Sequence, residues 1–224
     1  MAIYLREDHV GADQDTVGFP NLSTCLALVV QTSTRLYGYH ITPLSEEAQL
    51  EELSDLIQQT EPQAQMVHLY GSCYFANRYS FSRGTAVATQ WQTEMTSIAD
   101  TLQYTGPVSG FDFGLGHTWN LSARLSLSNI PQEQYTYLEY RRQGNLNTCT
   151  LHYKRMAKVA VTTGVMPADM LVQRIRRLNT NPTTYQRVAP PGNASTLTAA
   201  VRQTNRNQGQ MHAVPTDFIR TFDH

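Results

Sequence analysis

At 224 residues, with 41% hydrophobic and 16% charged side chains, the chain is long enough to bury one sizeable core but too short for two full domains. Seventeen basic and eighteen acidic residues leave a net charge of −1, so there is no general field for a phosphate backbone or an anionic membrane, and nucleic acid is not an expected partner. No apolar run approaches the roughly 18 residues that span a bilayer.

The amino-terminal "MAIYLREDHVGADQD" lacks the apolar centre of a cleavable signal peptide, so synthesis in a cytosol is expected. Residues 1 to 21 carry Gly11, Gly18 and Pro20 and read as a turn-rich loop leading into the first strand. Leu26 to Val30 is a short continuous apolar run, the mark of a strand buried on both faces. "QTST" turns the chain, and Arg35 to Ile41 reads as the antiparallel partner.

From Ser45, a residue type favoured at helix N-caps, a helix is predicted to Gln59 with Leu50, Leu53, Leu56 and Ile57 on one face. "QMVHLY" is a strand running into Gly71-Ser72-Cys73. A longer helix over about Thr85 to Gln103 presents Val87, Trp91, Met95, Ile98 and Leu102. "WNLSARLSL" (119–127) alternates strictly, as a half-buried strand does, and "TYLEYRR" and "TCTLHYKR" form a further strand pair across "QGNLN". Met166-Pro167 opens a predicted short helix with Met170, Leu171, Ile175 and Leu178, and residues 179 to 212 are rich in Asn, Thr, Gln and Pro. The expected architecture is α+β, a mixed sheet or sandwich core flanked by helices over 1–160, with a polar extension over 161–224.

Cys25, Cys73 and Cys149 lie far apart with no C-x-x-C pair, which supports neither a disulfide framework nor a zinc site. No metal or other cofactor is expected. Lys154 and Lys158 are the only lysines; a GC-rich coding sequence gives this bias, and so does selection against ubiquitin acceptors inside a eukaryotic cell.

The stretch "NLSTCLALVV" places Cys25 at the mouth of the first apolar strand, and "YGYHITP" ends the next strand at His40. Antiparallel pairing brings the two to one end of the sheet. A thiol becomes a nucleophile when it is accessible and served by a base; otherwise a free cysteine is among the most buried residue types. Two other cysteine–histidine pairs are present. His68 with Cys73, and Cys149 with His152, are separated by odd numbers of positions and point to opposite faces of a strand, so Cys73 is read as structural or as a wall of the pocket and the second pair as packing. Asp112 in "GFDFG" is a turn residue or a substrate contact, and "RIRRL" (174–178) reads as a solvated helix face.

Leu22-Ser23-Thr24-Cys25, a buried strand, and a strand ending in His40 fifteen residues later resemble the core of the cysteine–histidine glutamine deamidases. That group includes the CheD chemoreceptor deamidases and the catalytic domains of the cytotoxic necrotizing factors. The order of elements after His40 is similar as well: helix, strand with a Gly-rich loop, helix, further strands. The resemblance implies a protein glutamine deamidase whose Cys25 attacks a carboxamide and whose His40 moves the proton. It implies oxyanion donors in the turn at Ser23 and Thr24, and no cofactor. Many CheD-like chains carry Thr six residues before the cysteine, where this chain has Phe19, so Thr16, Asn21 or a backbone carbonyl is expected to orient the histidine; the toxin members use a carbonyl. It further implies a protein substrate, such as a small GTPase or another signalling protein, and a bacterial effector or toxin made in the bacterial cytoplasm and delivered into a host cell. The alternatives are a CheD-type chemoreceptor deamidase, a cysteine protease, and a non-catalytic binding or structural protein in which Cys25 simply packs.

Overall fold

The computed structural model describes residues 2–5, 7, 9–43, 48–79, 86–112, 135–144, 148–156, 171–173 and 211–224. In chain order the strands are β1 (Ala2–Tyr4), β2 (His9–Asp13), β3 (Thr16–Leu22), β4 (Leu26–Thr32) and β5 (Leu36–Ile41). Helix α1 (Ala48–Thr60), β6 (Met66–Ser72), α2 (Phe75–Arg78), α3 (Val87–Thr101) and β7 (Pro107–Phe111) follow. The remaining strands are β8 (Tyr135–Arg142), β9 (Cys149–Met156), β10 (Leu171–Gln173), β11 (His212–Ala213) and β12 (Ile219–Asp223).

The strands form two sheets, in the orders β1-β3-β8-β9-β11 and β10-β2-β5-β4-β6-β7-β12. The β1–β3 and β6–β7 pairs are parallel and the other named pairs are antiparallel. Helices α1 and α3 cover one face of the larger sheet. Leu26, Leu28 and Val30 of β4 meet Leu53, Ile57, Trp91 and Met95 there, while Ala27 and Val29 face the smaller sheet with Val17, Phe19, Leu138 and Tyr140. The architecture is therefore three layers, helices on sheet on sheet, and it is of the mixed α+β type.

An isolated helix the length of α1 is marginal in water. Burial of Leu50, Leu53, Leu56 and Ile57, at about 2 kcal/mol per side chain, is what holds it. Its C-terminal end is tied to the β4–β5 hairpin by Glu61, which accepts hydrogen bonds from Thr32, Thr34, Arg35 and Tyr37. In α3, Trp91, Met95 and Ile98 are buried as the spacing predicts, but Val87 in the first turn is exposed.

Two expectations change. Residues 1 to 21 are not a loop: β1, β2 and β3 lie within them, and Gly18 is a packing position in a strand, because a Cβ there would stand 2.7 Å from Tyr4 and Tyr137 atoms. Leu171–Gln173 is not helical; it pairs with β2 at the sheet edge. Among the described residues beyond 161, β10 and β12 lie at the two edges of the larger sheet and β11 at an edge of the smaller. The predicted strand over 119–127, the rest of the predicted helix over 167–178, and Ser45 lie outside the described residues.

The seam between α3 and the larger sheet leaves no spare volume at Gly110. A Cβ there would run into the Gly71 carbonyl and stand 2.5 Å from the Trp91 ring, whose Nε1 donates to that same carbonyl at 2.9 Å. Gly110→Ala is expected to destabilise the fold by about 2–3 kcal/mol, within the range for overpacked cores. Urea denaturation measures this, and an unchanged midpoint would reject the placement of α3.

Candidate functional site

Alternation along β4 and β5 decides where the sequence-predicted pair goes. On β5, Leu36, Gly38 and His40 face the smaller sheet, and Tyr37, Tyr39 and Ile41 face the helices. On β4, Ala27 is the cross-strand partner of His40 and Leu26 that of Ile41. Cys25 is one residue before Leu26 and lies in the same inter-sheet cluster as Ala27. Cys25 and His40 are thus diagonal neighbours on one face, a separation of about 7 Å between backbones.

His40 is fully buried and its Nδ1 lies 2.8 Å from the carbonyl oxygen of Leu5. A carbonyl only accepts, so Nδ1 carries the hydrogen, and in the neutral ring Nε2 is the basic nitrogen. Leu5 is itself held from the other side, its N–H donating to Gly18 at 2.8 Å. The ring packs edge-on against Phe19, whose other neighbour is Tyr140. Tyr140 donates to Ser72 Oγ at 2.6 Å, and Ser72 stands opposite Ala27 on the far side of β4. Gly38 makes room for this arrangement, since a Cβ there would collide with Leu5 and Val17.

The group that His40 Nδ1 meets is therefore a backbone carbonyl, one of the three expected alternatives. Thr16 begins β3 at the end remote from the pair, where its N–H donates to Asp13, and its parity places it opposite to Val17 and Phe19. Asn21 sits buried at positive φ (62°) in the irregular end of β3. Leu5 escaped the sequence because a carbonyl has no residue-type signature; the apolar run "IYL" was its one signal.

Ser23 and Thr24 are half-buried and form the turn before Cys25. Two side chains of α2 hold this turn. Asn77 Nδ2 donates to the Ser23 carbonyl at 3.4 Å and Arg78 Nη1 to the Thr24 carbonyl at 3.1 Å. Arg78 also makes a forked contact with Glu94 of α3, at 2.8 Å through Nε and 2.5 Å through Nη2. Burial opposes its charge, but Glu94 outweighs that and holds the guanidinium proton more tightly than usual. Asp112 caps the start of α2 by accepting from the Phe75 N–H at 3.1 Å, which assigns it a structural bond.

The chain matches neither the protein-family models nor the curated proteins with which it was compared.

The other cysteines and histidines fall elsewhere. Cys73 points into the helix-facing core, and burial pushes its thiol well above the ordinary range. Cys149 lies beside Gln31, and burial pushes its thiol up to about 12. His152 contacts Thr150, two residues away. Among the described residues no group of three His, Cys, Asp or Glu side chains converges as a metal site would require. "RIRRL" lies outside the described residues.

One contact was not foreseen. His68 stacks on Tyr70 and its Nε2 lies 2.8 Å from Ser109 Oγ, which in turn is 2.9 Å from Thr221. Ser109 is 3% exposed in mid-strand between β6 and β12, a place for packing and not for a nucleophile. Burial lowers the His68 pKa to about 4. The unfolded chain, with an ordinary histidine, therefore binds a proton that the folded chain refuses, and stability falls as pH drops from about 6.5 toward 4. His68→Gln is expected to flatten that part of the profile, measured as urea midpoints at neutral and acid pH; a slope identical to that of the unsubstituted chain would show that His68 is not its source.

Proposed function

We propose that the chain is a cysteine hydrolase of the glutamine deamidase type, with Cys25 as nucleophile and His40 as base and acid. The observation that carries the reading is the Nδ1–H bond from His40 to the Leu5 carbonyl, on the face of the sheet shared with Cys25. That bond directs Nε2 to be the nitrogen that exchanges a proton. The thiolate attacks the carboxamide carbon of a glutamine, the imidazolium protonates the departing ammonia, and water hydrolyses the thioester to glutamate. An amine in place of water gives transglutamination from the same intermediate.

The assignment of the sandwich to the CheD-like and cytotoxic necrotizing factor-like architecture belongs to this proposal. It is supported by the Leu-Ser-Thr-Cys turn, by the position of His40 on the next strand, and by the succession α1, β6, α3, β7. The carbonyl on the histidine fits the expectation for the toxin members better than a threonine does. The proposed setting is correspondingly a bacterial effector or toxin with a host signalling protein, such as a small GTPase, as substrate.

A second reading has its own observation. Cys25 is 4% exposed and His40 is fully buried, as in a packed core without catalysis. The two readings part on reactivity. Deamidation requires Cys25 to react with iodoacetamide faster than a free thiol at neutral pH, and equal or slower reaction supports packing alone.

His40→Ala would leave a cavity and the Leu5 carbonyl unsatisfied, at a cost of a few kcal/mol. His40→Asn is the better probe, because its amide can donate where Nδ1 does while supplying no base. Cys25→Ser and His40→Asn are each expected to lower activity by at least about a hundredfold with the fold retained by circular dichroism. The direct readout is mass spectrometry of candidate host proteins: a gain of about one mass unit at a glutamine that depends on Cys25. Peptide cleavage would instead identify a protease, and retained activity in either variant would remove that residue from the site.

A further inference from the structure

We infer that Arg78, backed by Glu94 and joined by Asn77, is a positioning device that turns the backbone N–H groups before the nucleophile toward a developing oxyanion. The inference rests on the proposed role of Cys25 and adds the residues that set the turn's direction. Two consecutive carbonyls, Ser23 and Thr24, are drawn to one side by donors on a single short helix. Among the described residues no peptide bond is cis. In a planar trans peptide the C=O and the following N–H point in opposite directions. The N–H groups of Thr24 and Cys25 are therefore both directed away from α2. Consecutive N–H groups turned to one side of a turn make the concave arrangement that favours negative charge.

The anchor is built to be rigid. Arg78 has a side chain 7% exposed, and its planar fork is spent on Glu94 while Nη1 remains for Thr24. Tyr79 donates to the same carboxylate at 2.6 Å, so Glu94 is fixed from a second direction. Lysine at position 78 retains the charge but lacks the fork, and cannot grip Glu94 bidentately and Thr24 together. A direct catalytic role is not assigned to Arg78, which reaches the site through the Thr24 carbonyl.

Two reactions at the same sulfur separate positioning from general structural damage. Acylation by p-nitrophenyl acetate passes through a tetrahedral oxyanion, whereas alkylation by iodoacetamide displaces iodide at a saturated carbon and forms none. Both are read at Cys25 by peptide mass spectrometry in the full chain. Arg78→Lys and Asn77→Ala are each expected to slow acylation by about tenfold or more while alkylation stays within about twofold. Acylation that is unchanged in both variants, or that falls only in step with alkylation, overturns the inference. Asn77 is exposed, so its variant keeps the test available if Arg78→Lys disturbs the fold. A Cys25 that is inert to both reagents in the unsubstituted chain sinks the nucleophile itself, an outcome distinct from an inert Arg78.

Discussion

Strand β4 has no solvent face, and most of the architecture follows from that. Every residue from Leu26 to Thr32 is buried. The even-numbered aliphatic side chains require a helical layer, and the odd-numbered ones require a second sheet. A strand of this kind can exist only at the centre of three layers. The hairpin partner β5 inherits the same position, with Tyr37, Tyr39 and Ile41 given to the helices and Leu36, Gly38 and His40 to the inter-sheet space. A one-residue slip in the β4–β5 register would send His40 among the leucines of α1 and separate it from Cys25.

The inter-sheet space is where polar groups cost most, and three bonds there explain the places of the groups that make them. His40 meets the Leu5 carbonyl, Ser72 meets Tyr140, and Tyr70 meets Gln31. Such bonds return about 1 kcal/mol each, less than the cost of leaving a partner unmade. The polar residues therefore contribute more to fixing one arrangement of the sheets than to net stability. The turn at Ser23 and Thr24 extends this logic to the protein's edge, where α2 replaces a sheet neighbour as the source of donors.

The elements near the site were legible because their patterns are local. An unbroken apolar run, a short polar turn and a second apolar strand suffice to predict the β4–β5 pair and to put Cys25 and His40 at one end. The spacing of Leu50 to Ile57 and of Trp91 to Leu102 likewise predicts two helices that cover one sheet face. The amino-terminal strands were illegible because Gly11, Gly18 and Pro20 read as breakers. In the fold Gly18 is instead demanded by two tyrosines, one of them more than a hundred residues away in β8. Leu171–Gln173 is a strand because β2 offers an open edge there, a tertiary reason that overrides a helical period.

By itself the amino-acid sequence determined the candidate pair, its common end of the sheet, and the opposite facing of His68 and Cys73, since strand parity needs no partner. Only the tertiary structure decided what meets His40 Nδ1, because a carbonyl such as that of Leu5, just beyond β1, can be supplied by any residue type. It also decided what holds the turn before Cys25. Asn77, Arg78 and Glu94 carry no signature that links them to residues 23 and 24, and only the docking of α2 and α3 brings their donors and carboxylate to that turn.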